Sequence, residues 1–150
     1  FSIFGHLCKA MIDKLIIDHQ EKTIDIYDLK CVWNLEHFYE DYYLYRRAYI
    51  QAYIYYFAVL HVTFIDSELH GYKVHLPKFI VCDSINYYNP LIYTLSDRDL
   101  SDANTGFSYK GKDYPGVHTI IEDLTFALQE NIWNISRENY LKNGIVNIKE

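Results

Sequence analysis

Half of the 150 residues are apolar and 23% are charged, which is the composition of one globular domain and argues against a disordered chain. The net charge is −6 and the longest basic run is the pair Arg46–Arg47, so the clustered cations that a nucleic-acid backbone attracts are missing, and we expect no nucleic-acid partner. The wide spacing of Cys8, Cys31 and Cys82 fits neither a zinc ribbon nor a disulfide framework, and favours free thiols in a cytoplasmic protein.

The N-terminal residues up to Ile16 predict an amphipathic helix. Their apolar side chains recur at the i, i+3 and i+4 spacing of one helical face, and charged residues such as Lys9 and Asp13 fall on the other side. The apolar face consists of Ile3, Phe4, Leu7, Cys8, Met11, Ile12, Leu15 and Ile16. Thr23–Tyr27 follows, and its weak alternation fits either a short strand or the start of a second helix.

Tyrosine dominates the next segment. The chain has sixteen tyrosines, and they are densest in Tyr39–Tyr56. Asn34 is a suitable N-cap and Glu36 complements the positive end of a helix, so we predict a central helix from Leu35 to near Phe57. Because tyrosine joins an apolar ring to a hydroxyl that needs a partner, this helix is expected where the core meets water or another protein.

The segment Ala48–Ile65 raises the question of a membrane. It carries no formal charge, follows Arg46–Arg47 and is just long enough to be a spanning candidate. It also contains Gln51, His61 and Thr63, together with four tyrosines, which favours a buried element of a soluble domain. Membrane association is therefore kept only as a minor alternative.

A small antiparallel sheet is predicted after the central helix. Val59–Asp66 becomes β-branched and aromatic, a turn follows, and Tyr72–Asp83 has the pattern of a second strand interrupted at Pro77. The two strands would form a hairpin. The alternative is one continuous helix to His70. A third strand is predicted at Leu91–Leu95.

The polar segment that follows predicts turns and then a helix. Within Ser96–Gly116 we expect a small hairpin through Phe107–Tyr109. The capping-box pattern Thr119–Glu122 then marks the start of the last helix, which continues with an apolar stripe.

The end of this last helix is open to two interpretations. It either stops near Trp133 and restarts at Ser136, or continues to Asn143; Ile145–Ile148 is a candidate edge strand. Taken together, the elements predict a single α+β domain over residues 1–150. It would contain an amphipathic N-terminal helix, a central Tyr-rich helix, a small antiparallel sheet and a C-terminal helix.

No catalytic or cofactor-binding motif is recognisable along the chain, and no cofactor is predicted. The strongest pattern of metal ligands is His61, His75 and Asp83. If the hairpin forms, the two histidines face each other across it, and imidazole with carboxylate is a usual ligand set for a divalent metal. Their spacing matches no zinc signature, so surface or core histidines are the simpler interpretation.

Two groups of side chains are typical of a protein-binding surface. Three aspartates within one short polar segment would attract a basic partner and accept hydrogen bonds from its arginines. Adjacent tyrosines and an arginine on the central helix belong to the residue types enriched at the energetic centres of interfaces. The candidate partner-binding residues are Asp97, Asp99, Asp102, Tyr42, Tyr45 and Arg46.

These features favour a small acidic protein that binds a basic protein partner, in the manner of an inhibitor or an immunity protein. One alternative is a metal-dependent hydrolase that uses His61, His75 and Asp83. Another is a structural subunit of a larger assembly.

Overall fold

The computed structural model describes residues 1–86 and 88–146, and a mixed five-stranded sheet is its largest element. The strands are β1 (Ser2–Ile3), β2 (His6–Leu7), β3 (Lys14–Asp18), β4 (Thr23–Val32), β5 (Lys73–Val74), β6 (Lys78–Asp83), β7 (Leu91–Thr94), β8 (Phe107–Tyr109) and β9 (Lys112–Tyr114). The helices are a 3₁₀ turn (Leu35–His37), a π-helix (Tyr39–Tyr45), α1 (Ala48–Ile65), α2 (Asp97–Thr105), α3 (Val117–Glu130) and α4 (Arg137–Leu141). The predicted α+β class is confirmed.

The predicted N-terminal helix is wrong, because its residues form strands. β1 and β2 pair around a turn in which Phe4 and Gly5 have positive φ values of 47° and 84°. β3 then pairs antiparallel with β4, and Asp18 Oδ1 closes the connecting turn by accepting the N–H groups of Gln20 and Glu21. The apolar spacing that predicted a helix also fits short strands, and the long partner strand β4 decides between them.

β4 is the centre of the main sheet. It pairs antiparallel with β3 on one side and parallel with β5 and β6 on the other, and β7 completes the order β3–β4–β6–β7. The predicted antiparallel pairing is present in β6–β7, and β3–β4 is antiparallel as well. In contrast, β4–β5 and β4–β6 are parallel, because α1 is a crossover that returns the chain in the same direction. The predicted interruption at Pro77 and the strand within Leu91–Leu95 are confirmed.

α1 continues to Ile65, so the predicted strand Val59–Asp66 and its hairpin are wrong. The segment contains neither Gly nor Pro, and the helical hydrogen bonding persists until the Asp66 N–H donates to Val62 O at 2.9 Å. The alternative of a continuous helix towards His70 is closer to the structure, although the helix ends earlier.

One side of α1 packs on the sheet and forms the core. Ile24 and Ile26 of β4 contact Tyr55 and Val59 of α1, and a larger cluster around Tyr49 includes residues from β4, β6 and the π-helix. α1 is also long enough and apolar enough (mean hydropathy 1.3) to span a bilayer. The core helix of a soluble protein can meet the same two criteria, so they do not indicate a membrane span by themselves.

The predicted central helix is divided into three pieces. Asn34 caps the first piece as predicted, its side chain accepting the Glu36 N–H at 3.0 Å. The π-helix buries Tyr43 and Leu44. Arg47 adopts the left-handed conformation (φ 57°), which ends the π-helix and allows α1 to start in a new direction.

The polar segment after β7 contains a helix, α2, that the sequence did not predict. Ser96 and Asp99 form a reciprocal capping box at its start. The predicted hairpin through Phe107–Tyr109 is confirmed as β8–β9. A Cβ at Gly116 would lie 2.2 Å from Asn104 O, so glycine is required where the end of α2 meets the start of α3.

α3 begins at Val117, just before the predicted capping box at Thr119. The interpretation in which this helix stops near Trp133 and restarts after Ser136 is confirmed, with Ser136 capping α4. Of the candidate edge strand Ile145–Ile148, the first two residues are not in a strand, and the other two lie outside the described residues.

Candidate active site

The sheet face that packs against α1 contains a buried carboxylate, Asp28 of β4. Alternation along β4 buries Ile24, Ile26 and Val32 on this face, and Asp28 belongs to the same set with only 1% of its surface exposed. Burial is the main reason that the pKa of Asp28 is raised, and the ammonium of Lys30 opposes the effect. A buried acid is costly unless a partner binds it, so its neighbours indicate its role.

Asp13, the residue directly before β3, lies opposite Asp28. The register pairs Lys14 with Tyr27, which sets Asp13 one step further along, opposite Asp28. Asp13 Oδ2 accepts the Leu29 N–H at 2.9 Å. The charge of the Asp13 carboxylate is a further, smaller cause of the raised pKa of Asp28. Asp13 is exposed, so the acid pair opens to solvent on that side.

Lys30 connects the acid pair to α1. Its Nζ lies 2.5 Å from Asp28 Oδ2, but the angle is not that of a regular hydrogen bond, so Oδ2 has no hydrogen-bond donor among the described residues. Lys30 Nζ donates to Gln51 Oε1 at 2.8 Å, and Gln51 Nε2 donates to Tyr55 OH at 2.7 Å. We refer to Asp13, Asp28, Lys30, Gln51 and Tyr55 as the carboxylate–lysine site.

A groove with three cations lies beside this site. Its volume is about 580 Å³, and its wall includes Gln51 and Tyr55 together with Lys9, Arg46 and Arg47. Within residues 1–86 and 88–146, none of the three cations forms a salt bridge. α1 starts here without an acidic residue in its first turn, so the positive end of the helix adds to the field. We call this surface the basic groove.

The three predicted aspartates serve local contacts in α2. Asp99 completes the capping box, and Asp97 lies in the first turn, where a carboxylate complements the helix dipole. Asp102 Oδ2 lies 3.8 Å from Arg98 Nε. Burial raises the pKa of Tyr39, and the charges of Asp99 and Asp102 raise it further. Asp99 and Asp102 therefore lie near Tyr39 of the π-helix.

The other three predicted residues lie at the end of the π-helix. The Tyr42 hydroxyl donates to the carbonyl oxygen of Cys31 at 3.2 Å. The three cysteines, including Cys31, are free thiols. The Arg46 guanidinium lies over the Tyr42 ring, 4.5 Å from its centre, and Tyr45 is 76% exposed. Of these predicted residues, Arg46 is the one that also lines the basic groove.

The predicted metal ligands are held by separate contacts. His61 lines an apolar groove beside α1. His75 Nδ1 lies 3.1 Å from Asp25 Oδ1, while Asp83 Oδ1 accepts backbone N–H groups in the turn after β6. No group of three or more His, Cys, Asp or Glu side chains that could hold a metal is present in the described part of the chain.

Reasoning from sequence missed most of the carboxylate–lysine site. The helical pattern places Asp13 on a polar helix side, and Asp28 and Lys30 lie just beyond the segment that alternates as a strand. The available signal was a charged pair at alternate positions inside an apolar strand, because such a pair is buried on one face. Comparison with protein families, curated proteins and solved structures gives no match to this chain.

Proposed function

We propose that this chain is a divalent-metal-dependent phosphodiesterase that cleaves polynucleotides. The observation that carries the proposal is the placement of Asp13 opposite Asp28 and next to Lys30, whose amine Gln51 connects to the wall of the basic groove. Two carboxylates and an amine are the groups required to hold a hard cation and to stabilise a reacting phosphate. Unpaired cations along a groove are the groups required to hold the neighbouring phosphates.

The acid pair fits a magnesium-type ion. Such an ion is commonly held by one or two protein carboxylates, and waters and substrate phosphate oxygens complete its octahedron, so a site with only two acids is sufficient. Asp28 Oδ2 lacks a regular hydrogen-bond donor among the described residues, but Lys30 Nζ lies 2.5 Å from it, so a metal ion would have to displace the ammonium from this oxygen. Asp13 keeps the site open to solvent. When bound, the cation would polarise a phosphoryl oxygen and activate water.

The other residues of the site position these groups. Lys30 offsets negative charge that develops on the phosphoryl group and orients the attacking water. Gln51 accepts a hydrogen bond from the Lys30 amine, and the Gln51 amide donates to Tyr55 OH, so two residues of α1 fix the position of the amine. Lys9, Arg46 and Arg47 bind neighbouring phosphates of the polynucleotide along the groove.

This proposal departs from the expectation that nucleic acid is not a partner. That expectation rested on the net charge and on the absence of a basic run along the sequence. The fold brings Lys9 to the same groove as Arg46 and Arg47, so a local positive surface is compatible with a net charge of −6.

The proposal predicts metal-dependent cleavage of labelled single-stranded or duplex DNA or RNA by the purified protein. Cleavage should require Mg²⁺ or Mn²⁺ and stop with EDTA. Asp13→Asn, Asp28→Asn and Lys30→Met should each lower kcat at least about 100-fold, because each removes a group that acts on the reacting phosphate. The matched controls Asp123→Asn and Lys73→Met change exposed residues away from the site and should retain full activity.

Metal binding gives a second measurement that does not depend on finding the right substrate. Calorimetric titration with Mn²⁺ should show one binding event that Asp28→Asn abolishes and Asp123→Asn leaves unchanged. Cleavage that survives Asp28→Asn, or absence of both cleavage and Mn²⁺ binding in the wild type, would rule out the proposal.

Binding of a basic protein partner is a second candidate function. It is supported by the nearness of Asp99 and Asp102 to the exposed Tyr39, which places acidic and aromatic side chains on one surface. The capping role of Asp99 weakens the argument, because that carboxylate is already engaged. The Mn²⁺ titration separates the two functions, since a binding protein has no need of a cation at Asp28.

A further inference from the structure

β3 forms one edge of the main sheet. It pairs with β4 on one side, and within residues 1–86 and 88–146 no strand pairs with its other side. All five of its residues are exposed, including the consecutive apolar residues Leu15 (42%), Ile16 (44%) and Ile17 (37%). Sheet edges of this kind are normally protected, because their free N–H and C=O groups recruit another strand.

We propose that β3 pairs antiparallel with β3 of a second copy of this chain, about a two-fold axis at Ile16. The strand sequence is self-complementary in this register. Lys14 lies opposite Asp18 of the partner subunit, Leu15 lies opposite Ile17 of the partner subunit, and Ile16 meets its own copy. Each charge is thus matched with its opposite, twice in each dimer.

The charges select this arrangement over the other pairings of the same edge. A parallel pairing in register would set lysine against lysine and aspartate against aspartate. An antiparallel pairing shifted by two residues would lose both ion pairs. Asp18 Oδ1 accepts two backbone N–H groups in the β3–β4 turn, whereas Asp18 Oδ2 forms no hydrogen bond or ion pair among the described residues and is the oxygen left for the partner's lysine.

An apolar groove next to the edge supports a second copy as the occupant. Leu15 and Ile17 share a face with the buried residues of β4, and they line a groove of about 290 Å³ together with Val62 and Ile65 of α1. The two-fold axis sets this groove beside its own copy, so the apolar layer between sheet and helix continues across the interface.

The interface does not rest on the proposed function, but it has a geometric relation to the proposed site. Asp13 directly precedes β3, three residues from the axis at Ile16. The two acid pairs of the dimer would therefore lie roughly 20 Å apart along the shared edge, at the usual rise of an extended strand.

Charge reversal at the two ends of β3 tests the interface by sedimentation velocity across a concentration series. The wild type should form a dimer. Lys14→Glu and Asp18→Lys should each raise the dimer dissociation constant at least about tenfold, because each creates two like-charge contacts. Lys73→Glu, an exposed reversal on β5, is the control and should leave the dimer unchanged.

Mixing the two charge-reversal variants should restore a dimer. The glutamate that Lys14→Glu introduces then faces the lysine that Asp18→Lys introduces, and the unchanged Asp18 of the first variant faces the unchanged Lys14 of the second. A variant that had merely lost its fold would not be rescued in this way, and circular dichroism of each variant checks the fold directly. A monomeric wild type at all concentrations, a dimer insensitive to Lys14→Glu, or failure of the two variants to associate would overturn the proposal.

Discussion

At the scale of single residues, Asp28 is a buried carboxylate whose counterion, Lys30, is partly exposed. Lys30→Met would leave the buried Asp28 without its cation and is expected to lower the free energy of unfolding by about 3 kcal/mol. The double variant Asp28→Asn/Lys30→Met removes both charges and should recover most of that loss, because no buried charge remains. Urea denaturation in EDTA measures both effects.

The ion pair of Lys110 with Glu40 is a control for the pair of Lys30 with Asp28. Lys110 Nζ lies 2.6 Å from Glu40 Oε1, and both side chains are exposed. Lys110→Met should change stability little, since solvent screens the pair. Equal effects of the two lysine substitutions would show that Lys30 is not the counterion of a buried charge. If the double variant Asp28→Asn/Lys30→Met is as unstable as Lys30→Met, then Lys30 is likewise not the counterion of a buried charge.

At the scale of elements, the open face of the sheet contains a cross-strand cluster that should make stability depend on pH. Lys78 of β6 donates to Asp25 Oδ1 of β4 at 2.8 Å, and this bond is the largest of the effects that hold the pKa of Asp25 below its usual 3.8. A lowered pKa means that the contribution is complete at neutral pH and is lost as the pH falls through the folded-state value.

Asp25→Asn should therefore lower stability by up to about 1 kcal/mol at neutral pH, because the partners are partly exposed. The difference from the wild type should shrink below about pH 4. Thermal unfolding between acidic and neutral pH measures this difference. Glu138→Gln, which breaks an exposed pair on α4, is the control and should give a much smaller effect. A constant difference between wild type and Asp25→Asn across the range would contradict the assignment.

The elements also show which parts of the fold are readable from sequence. Local signals succeeded: Asn34 caps its helix, Pro77 interrupts a strand, and Ser136 restarts a helix. The helix prediction for the N-terminal segment was wrong because β3 forms by pairing with β4. The spacing of apolar residues within one segment carries no information about such a long-range contact. The candidate site was not predicted for a related reason, since the same pairing of β3 with β4 brings Asp13 opposite Asp28.

At the scale of the whole molecule, the charges of the basic groove oppose the sign of the net charge. Lys9→Ala, Arg46→Ala and Arg47→Ala should raise KM for a polynucleotide while leaving kcat nearly unchanged, because the proposed function assigns to these side chains the phosphates that do not react. The slope of log affinity against log salt should fall by about 0.7 to 0.9 for each phosphate contact removed.

Lys112→Ala is the matched control for the groove, because Lys112 is exposed on β9 and does not line the groove. It should change neither KM nor the salt slope. If the three groove variants lower kcat instead of raising KM, or leave the salt slope as it is, the groove does not bind the phosphates.

The carboxylate–lysine site occupies a short stretch of the chain, from Asp13 to Tyr55, and the segment that follows β7 reaches its groove through Ile120. Among the described residues, the helices after β7 thus contribute no side chain to the site itself, and the proposed chemistry depends on the N-terminal part of the chain alone.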